Sequence, residues 1–417
     1  MLEVGNNVFT IAEEQTHFTM WAIVKSPLIM GAALKDTTTA IATASLNILL
    51  NSDVIGYNQD SLGVSASFVR RWTTAGYEIW SGPLSGNRVV VAVVNWNNAA
   101  TSLTLNLPDI GLQKAATLKN IWAATSSTNV LTSYTATIAA HGTMLLELGG
   151  TTAAGKYVVA DALVTRWVHV LNHSSGSNNC STTTIFSHVY GATASNNYSC
   201  LITFSESSTT ARAIIVNGVA HTLAAHALSL SVSLSLAASN TNSVIIVSAL
   251  APSTLLITAP PATLYSSTSF SLVGTSSRST CSTGLCAPIG SKIGYLTPTG
   301  SASLTLTAPA TAIAGCKLAT VYFCNNDIAF STSWTTGTNT RNMTISVNGI
   351  VTRIETPLSG RSSELFSPGL GWEDTGTFEV LLDGFTTGSN TIIVGNIYGA
   401  SGLVNYGADF VALGVQW

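Results

Sequence analysis

From Leu228 to Leu236 the chain alternates Leu228, Leu230, Val232, Leu234 and Leu236 with Ser229, Ser231, Ser233 and Ser235. A period of two sets every branched side chain on one face of an extended segment and every hydroxyl on the other, which specifies a half-buried β-strand. The same grammar of short alternating or apolar runs, broken by Gly, Asn and Ser turns, begins at Phe68 and continues to Trp417. Val89 to Val94 and Met144 to Leu148 are further examples. Mean hydropathy is +0.38, yet no run approaches the roughly 20 continuous apolar residues of a membrane helix. No membrane span is expected.

The first 62 residues read differently. Met1 to Val4 is a short strand, and Thr10 with Glu13 forms a capping box that opens a helix whose apolar face holds Phe18, Trp21, Ala22 and Val24. Pro27 stops that helix, Leu28 to Met30 is a second apolar run, and Thr38 to Leu50 a second helix. Strand, helix, strand, helix is the pattern of a parallel sheet with crossover helices. A linker is expected at 150–156, where Gly149, Gly150 and Gly155 cluster among small residues. Farther on, Ile214-Ile215-Val216-Asn217-Gly218 is echoed by Ile345-Ser346-Val347-Asn348-Gly349, and each copy is followed by an Asn-led strand, at Asn242 to Val247 and Asn390 to Val394. Two related sandwiches are expected, the first degenerate. At 417 residues the chain is long enough for several such units.

Only 8% of residues are charged, so solubility rests on hydroxyls, amides and glycans. A net charge of −3 and no run of Lys or Arg leave no basic stripe for a phosphate backbone, which argues against nucleic acid. The six cysteines, Cys180, Cys200, Cys281, Cys286, Cys316 and Cys324, lack metal-type spacing and read as disulfide partners in an oxidising compartment. Cys180 and Cys200 are expected to pair locally. The other four allow three connectivities, of which Cys316 with Cys324 is disfavoured because both fall on one extended strand. Sequons at Asn172, Asn179, Asn197 and Asn342 agree with an extracellular protein, although Met1 is not followed by a signal peptide.

Met1-Leu2-Glu3-Val4-Gly5-Asn6, His17-Phe18, Trp21-Ala22 and Lys25-Ser26-Pro27-Leu28-Ile29 together resemble glycoside hydrolase family 27, the α-galactosidases. Asn58 to Gly63 (NQDSLG), Trp80 to Ser85 (WSGPLS) and His141-Gly142-Thr143 extend the resemblance over about 148 residues. It implies a mainly β chain. Residues 1–62 would be a partial (β/α) barrel remnant and 63–149 an antiparallel β domain; the 150–156 linker, a β-rich region at 157–260 and a sandwich at 261–417 would follow. It also implies a retaining hydrolase that removes terminal α-linked galactose. Such enzymes need two carboxyl groups about 5 to 5.5 Å apart, and the resemblance puts both aspartates upstream of Met1. This stretch alone is therefore expected to be inactive, with Met1 placed against bound galactose. Asp60 reads as a structural turn residue, and His17 as a buried hydrogen-bonding histidine.

Toward the end, Gly315 to Asn326 (GCKLATVYFCNN), Val347-Asn348-Gly349, Leu382 to Asn390 (LDGFTTGSN) and Ala408-Asp409 resemble carbohydrate-binding module family 35. The calcium-ligand cluster of that family is not evident, so no metal or other cofactor is assigned. Sugar recognition needs flat apolar faces beside amides or carboxylates. Trp372, Tyr398, Asn405 and Tyr406 supply that chemistry, with Trp372 the leading platform, and Trp334 and Asn396 are further candidates. Trp417 reads as core. The expected partner is a galactose-containing oligo- or polysaccharide; the other reading is a non-catalytic carbohydrate-binding or adhesive cell-wall protein.

Overall fold

A computed structural model describes residues 1–33, 41–72, 75–168, 180–187, 189, 194–238, 242–326, 341–357, 359, 371–399 and 406–417. The chain divides into two compact units, Met1–Lys156 and Tyr157–Trp417.

The first unit opens with three helices, α1 (Ile11–Ile23), α2 (Thr43–Leu49) and α3 (Ser52–Asn58). The capping box at Thr10 and Glu13 forms as expected, with Glu13 N donating to Thr10 Oγ1 and Thr10 N donating to Glu13 Oε2 at 2.8 Å. Burial of Phe18, Ala22 and Ile23 follows from their spacing on one helical face. The helix expected from Thr38 starts only at Thr43 among the described residues, and α3 was not expected, because Gly56 interrupts its pattern. The two expected strands reduce to one parallel bridge, Leu2 to Met30, flanked by Leu2 N to Ile29 O and Gly31 N to Leu2 O.

The rest of this unit is antiparallel: β1 (Ser67–Trp72), β2 (Tyr77–Leu84), β3 (Arg88–Asn95), β4 (Thr101–Asn106), β5 (Leu112–Asn120), β6 (Thr125–Leu131), β7 (Ser133–Ile138) and β8 (Thr143–Ala153). Six form one sheet in the order β1-β2-β3-β8-β5-β6, and β4 pairs with β7. One face of the sheet packs Leu84, Val90, Ala92 and Leu145 against Phe18, Ala22 and Tyr57 of the helices. The other covers Val91, Val93, Leu146 and Leu148 with Leu103, Leu105 and Ile138. The expected linker at 150–156 is a correction. β8 runs through its first half, with Thr151, Thr152 and Ala153 paired to β5; Gly150 takes φ +58 within the strand, and the register shifts between Leu112 and Lys114 of β5.

The second unit contains two sandwiches. The first comprises β9 (Lys156–Val158), β10 (Leu163–Val168), β11 (Cys180–Phe186), β12 (Asn196–Phe204), β13 (Arg212–Val216), β14 (Val219–Leu223), β15 (Ser229–Leu236), β16 (Val244–Ser248) and β17 (Pro252–Thr258). Its sheets run β10-β11-β16-β13-β14 and β15-β12-β17-β9. In β15 the alternation resolves as read: Val232, Leu234 and Leu236 are buried while Ser229, Ser231, Ser233 and Ser235 are exposed.

The second sandwich comprises β18 (Ala262–Ser266), β19 (Ser271–Val273), β20 (Ser277–Thr280), β21 (Ser291–Gly294), β22 (Ser301–Thr307), β23 (Gly315–Cys324), β24 (Arg341–Val347), β25 (Ile350–Thr356), β26 (Gly376–Phe385), β27 (Ser389–Gly395) and β28 (Asp409–Gln416). One sheet runs β19-β22-β27-β24-β25; the other runs β20-β21-β28-β23-β26, with β18 also on β28.

The expected repeat is physical. Both Val-Asn-Gly turns place Asn and Gly at positive φ, at +47 and +82 for Asn217-Gly218 and +51 and +89 for Asn348-Gly349, as a tight two-residue hairpin requires. Each Asn clips the neighbouring strand in the same way. Asn217 N donates to Ile245 O and Ile245 N to Asn217 Oδ1; Asn348 N donates to Thr391 O and Thr391 N to Asn348 Oδ1.

Candidate functional site

A polar concavity lies in the second sandwich, a cleft of about 390 Å³ at the base of the β20–β21 hairpin. The register explains its lining. Ser277 and Ser279 stand opposite Gly294 and Lys292, and period-two alternation turns these four to one side while Ile293 is buried against Phe410. Arg341, Trp372, Tyr406 and Asp409 complete the walls with Tyr295.

Lys292 organises the cleft. Its Nζ donates to Asp409 Oδ2 at 2.8 Å and to the Trp372 carbonyl at 2.6 Å, with both charged side chains largely buried. Burial pushes the Asp409 carboxyl up from its ordinary value, and Lys292 and Arg341 pull it back. Gly294 leaves room for Asp409, since a Cβ at that position would lie 2.9 Å from Asp409 Oδ1. The Arg341 guanidinium carbon sits 4.7 Å from the centre of the Trp372 ring. Tyr295 and Tyr406 meet edge to face at 6.0 Å and are 60% and 42% exposed, so they, rather than Trp372, present open aromatic surface.

The disulfide Cys281–Cys286 braces the loop beneath this wall. From that loop Ser282 N donates to the Glu373 carboxylate at 2.9 Å and Cys286 N to the Glu373 carbonyl at 2.8 Å, which fixes the backbone carrying Trp372. Chemically the cleft offers aromatic faces, a carboxylate acceptor, two cations, two serine hydroxyls and two phenols. Among the described residues Asp409 is its single lining acid, and a retaining glycosidase needs two. The arrangement suits binding of a polyhydroxylated ligand rather than glycoside cleavage.

The expected site residues divide. Trp372 and Tyr406 come together in the cleft. Tyr398 is exposed elsewhere, under the Arg353 guanidinium at 5.5 Å, and Asn396 is fully buried. Asn405 and Trp334 lie outside the described residues, as do Asn172 and Asn179. Asn197 and Asn342 sit on β12 and β24 and are partly exposed. Trp417 is core, its Nε1 donating to Tyr265 Oη at 3.0 Å. Sequence reading passed over Lys292, Tyr295 and Arg341; the Lys-x-Gly step of β21 beside a hairpin was the available signal.

The cysteine expectations need correction. Cys200 keeps a free thiol, fully buried on the inward face of β12 between Tyr198 and Ile202, so the expected bond to Cys180 is not formed. Cys324 is also a free buried thiol, and it shares β23 with Cys316.

A second cavity, about 420 Å³, lies in the first unit among Phe9, Glu13, Thr16, His17, Met20, Trp21, Trp96 and His141. Among the described residues its one lining carboxylate, Glu13, is taken up by Thr10 and by His141 Nδ1 at 2.8 Å. His17 Nε2 accepts from Glu3 N at 3.2 Å, a structural role. Asp60 likewise accepts from Ser85 N at 2.8 Å and Arg88 Nη2 at 3.0 Å. Met1 is exposed and lines neither cavity.

Comparison with known proteins gives the class first. Residues 74–148 match the family model of the α-galactosidase C-terminal β-sandwich domain, which is the sheet of the first unit. Over its whole length the chain is similar to curated α-galactosidases, and the matched domain is the one that family carries at its C-terminal end. The probable α-galactosidase D of Aspergillus niger is 48% identical over all of this chain, and α-galactosidase D of Emericella nidulans 41%. The chain spans about 61% of the length of each. The crystal structure of α-galactosidase I from Mortierella vinacea is 30% identical over 37% of this chain and 40% of that one, with a TM-score of 0.33. Among the described residues no helix is long and apolar enough to cross a membrane.

Proposed function

We propose that this chain is the sugar-binding portion of an extracellular α-galactosidase, and that the cleft of its second sandwich holds a galactose-containing oligo- or polysaccharide. The observation that carries this reading is the convergence of Tyr295, Tyr406, Arg341, Lys292 and Asp409 on one concavity. Aromatic faces take the apolar side of a pyranose, and the charged groups take its hydroxyls. The disulfide Cys281–Cys286 and the partly exposed sequons at Asn197 and Asn342 support an extracellular setting.

Catalysis by the residues present is not part of the proposal. In the first unit Glu3 accepts from Asn6, Glu13 from Thr10, Glu14 from Gly5, Asp53 from Lys119, Glu78 from Arg71 and Trp80, and Glu147 from Arg88. Those carboxylates are committed to structure, which also favours the second reading of a non-catalytic binding protein. Two measurements separate the outcomes. The purified chain should not turn over an aryl α-galactoside, and calorimetric titration with a galactose-containing polysaccharide should give binding that Tyr406→Ala weakens. Turnover, or the same affinity in Tyr406→Ala, would overturn the respective part.

A further inference from the structure

Three sulfurs meet behind the cleft. Cys286 Sγ, already bonded to Cys281, lies 4.0 Å from Cys324 Sγ, and Cys286 and Cys324 are both fully buried. Cys281 and Cys286 are five residues apart on the loop after β20, whereas Cys324 ends β23 and is 38 residues from Cys286. The Cys324 sulfur is therefore at van der Waals distance from a disulfide sulfur, which it can bond only as a thiolate and only with Cys281 leaving.

We propose that Cys281, Cys286 and Cys324 form a thiol–disulfide exchange centre, in which Cys286 moves its bond from Cys281 to Cys324. The step balances without an oxidant. Cys324 gives its proton to solvent, its thiolate attacks Cys286 Sγ, the Cys281–Cys286 bond breaks, and Cys281 leaves as a thiolate that takes a proton from solvent. One disulfide and one thiol stand on each side. The exchange releases the loop's short ring and ties Cys286 to β23, while Cys281, which is partly exposed, becomes the free thiol. Because Ser282 and Cys286 hold Glu373, the exchange changes how the wall carrying Trp372 is braced.

The surroundings set its rate. Burial pushes the Cys324 thiol up to about 12; Lys292 of β21 and the nearby Thr375 hydroxyl oppose this, while Asp409 of β28 and Asp374 reinforce it. At neutral pH almost none of it is thiolate, so exchange in the folded chain is slow and should quicken about tenfold per pH unit.

Trypsin provides the readout. Cleavage after Arg278, Lys292, Lys317 and Arg341 leaves Cys281 and Cys286 on one peptide and Cys324 on another, so exchange converts an internal loop into a cross-linked pair. The full chain is incubated at pH 7, 8 and 9 with a trace of reduced glutathione, quenched in acid, labelled with N-ethylmaleimide and mapped by mass spectrometry. The expected result is a 279–292/318–341 cross-link with Cys281 labelled, appearing faster at each step in pH. A Cys281→Ser chain held in a glutathione disulfide buffer should form the same cross-link. Of these three cysteines, labelling at Cys324 only at every pH, with both Cys286 and Cys324 labelled in Cys281→Ser, would overturn the proposal.

Discussion

In the first sandwich β10 and β11 are separated by the 11 residues 169–179, whereas in the second the corresponding β19 and β22 are separated by the 27 residues 274–300. The longer connection contains the β20–β21 hairpin, and that hairpin supplies Ser277, Ser279, Lys292 and Gly294 to the cleft. Elsewhere the frames agree. β12, β15 and β17 pair as β23, β26 and β28 do, and the same Asn-Gly turn joins β13 to β14 and β24 to β25. The difference teaches that the common frame provides stability and the inserted hairpin provides chemistry, the usual division between scaffold and site.

The largest effect that would break this comparison is at the Lys292–Asp409 pair, for which the first sandwich has no counterpart among the described residues. Asp409→Asn leaves a largely buried ammonium without its charge partner and should destabilise the second sandwich by about 3 kcal/mol, measured as a shifted midpoint of denaturant unfolding. Unfolding of the first sandwich should not move. An equal shift in both would show that the pair is not local to the inserted hairpin.

The shared frame predicts equality where the cleft predicts contrast. Asn217→Ala and Asn348→Ala each remove a positive-φ residue that also clips the next strand, and each should cost about 1 to 2 kcal/mol. Costs that differ several-fold would end the claim that the two turns are equivalent.

A smaller effect tests how the sandwiches are joined. Lys317 on β23 is fully buried, and its Nζ donates to Asn196 Oδ1 at 2.8 Å and to the Ser195 carbonyl, on the first sandwich. Burial lowers it to about 8. Between pH 8 and 10.5 the unfolded chain therefore holds a proton that the folded chain does not, so stability should rise with pH across that window. Lys317→Met should flatten the rise in thermal melts. In the first unit Glu13 works the opposite way: the Thr10 backbone bond, with help from His141, holds its carboxyl down to about 2. Its contribution is present above pH 4.5 and is lost as pH falls toward 2, a small effect that Glu13→Gln should remove.

Legibility in the sequence followed the same boundary between frame and insertion. Alternation placed β15, and the Asn-Gly echo revealed the repeat, because both are local signals. Cys200 was misassigned even though Tyr198, Cys200, Ile202 and Phe204 alternate as inward residues; the count of cysteines outweighed the period. The run Gly149-Gly150 looked like a linker because a glycine needed for positive φ within a strand is composed like one that ends it. Trp372 and Tyr406 were visible as aromatics in loops or near strand ends. Lys292 and Arg341 were not, since their roles come from pairing across β20, β21, β28 and the Trp372 turn, contacts that no local pattern records.

Hydrogen exchange of the full chain, with and without a saturating galactose-containing polysaccharide, tests the central claim most directly. The account predicts slowed exchange confined to residues 277–296, 371–373 and 406–409, with the first sandwich and the first unit unchanged. Protection centred on the first sandwich, or on the Phe9, Trp21 and Trp96 cavity instead, would contradict it.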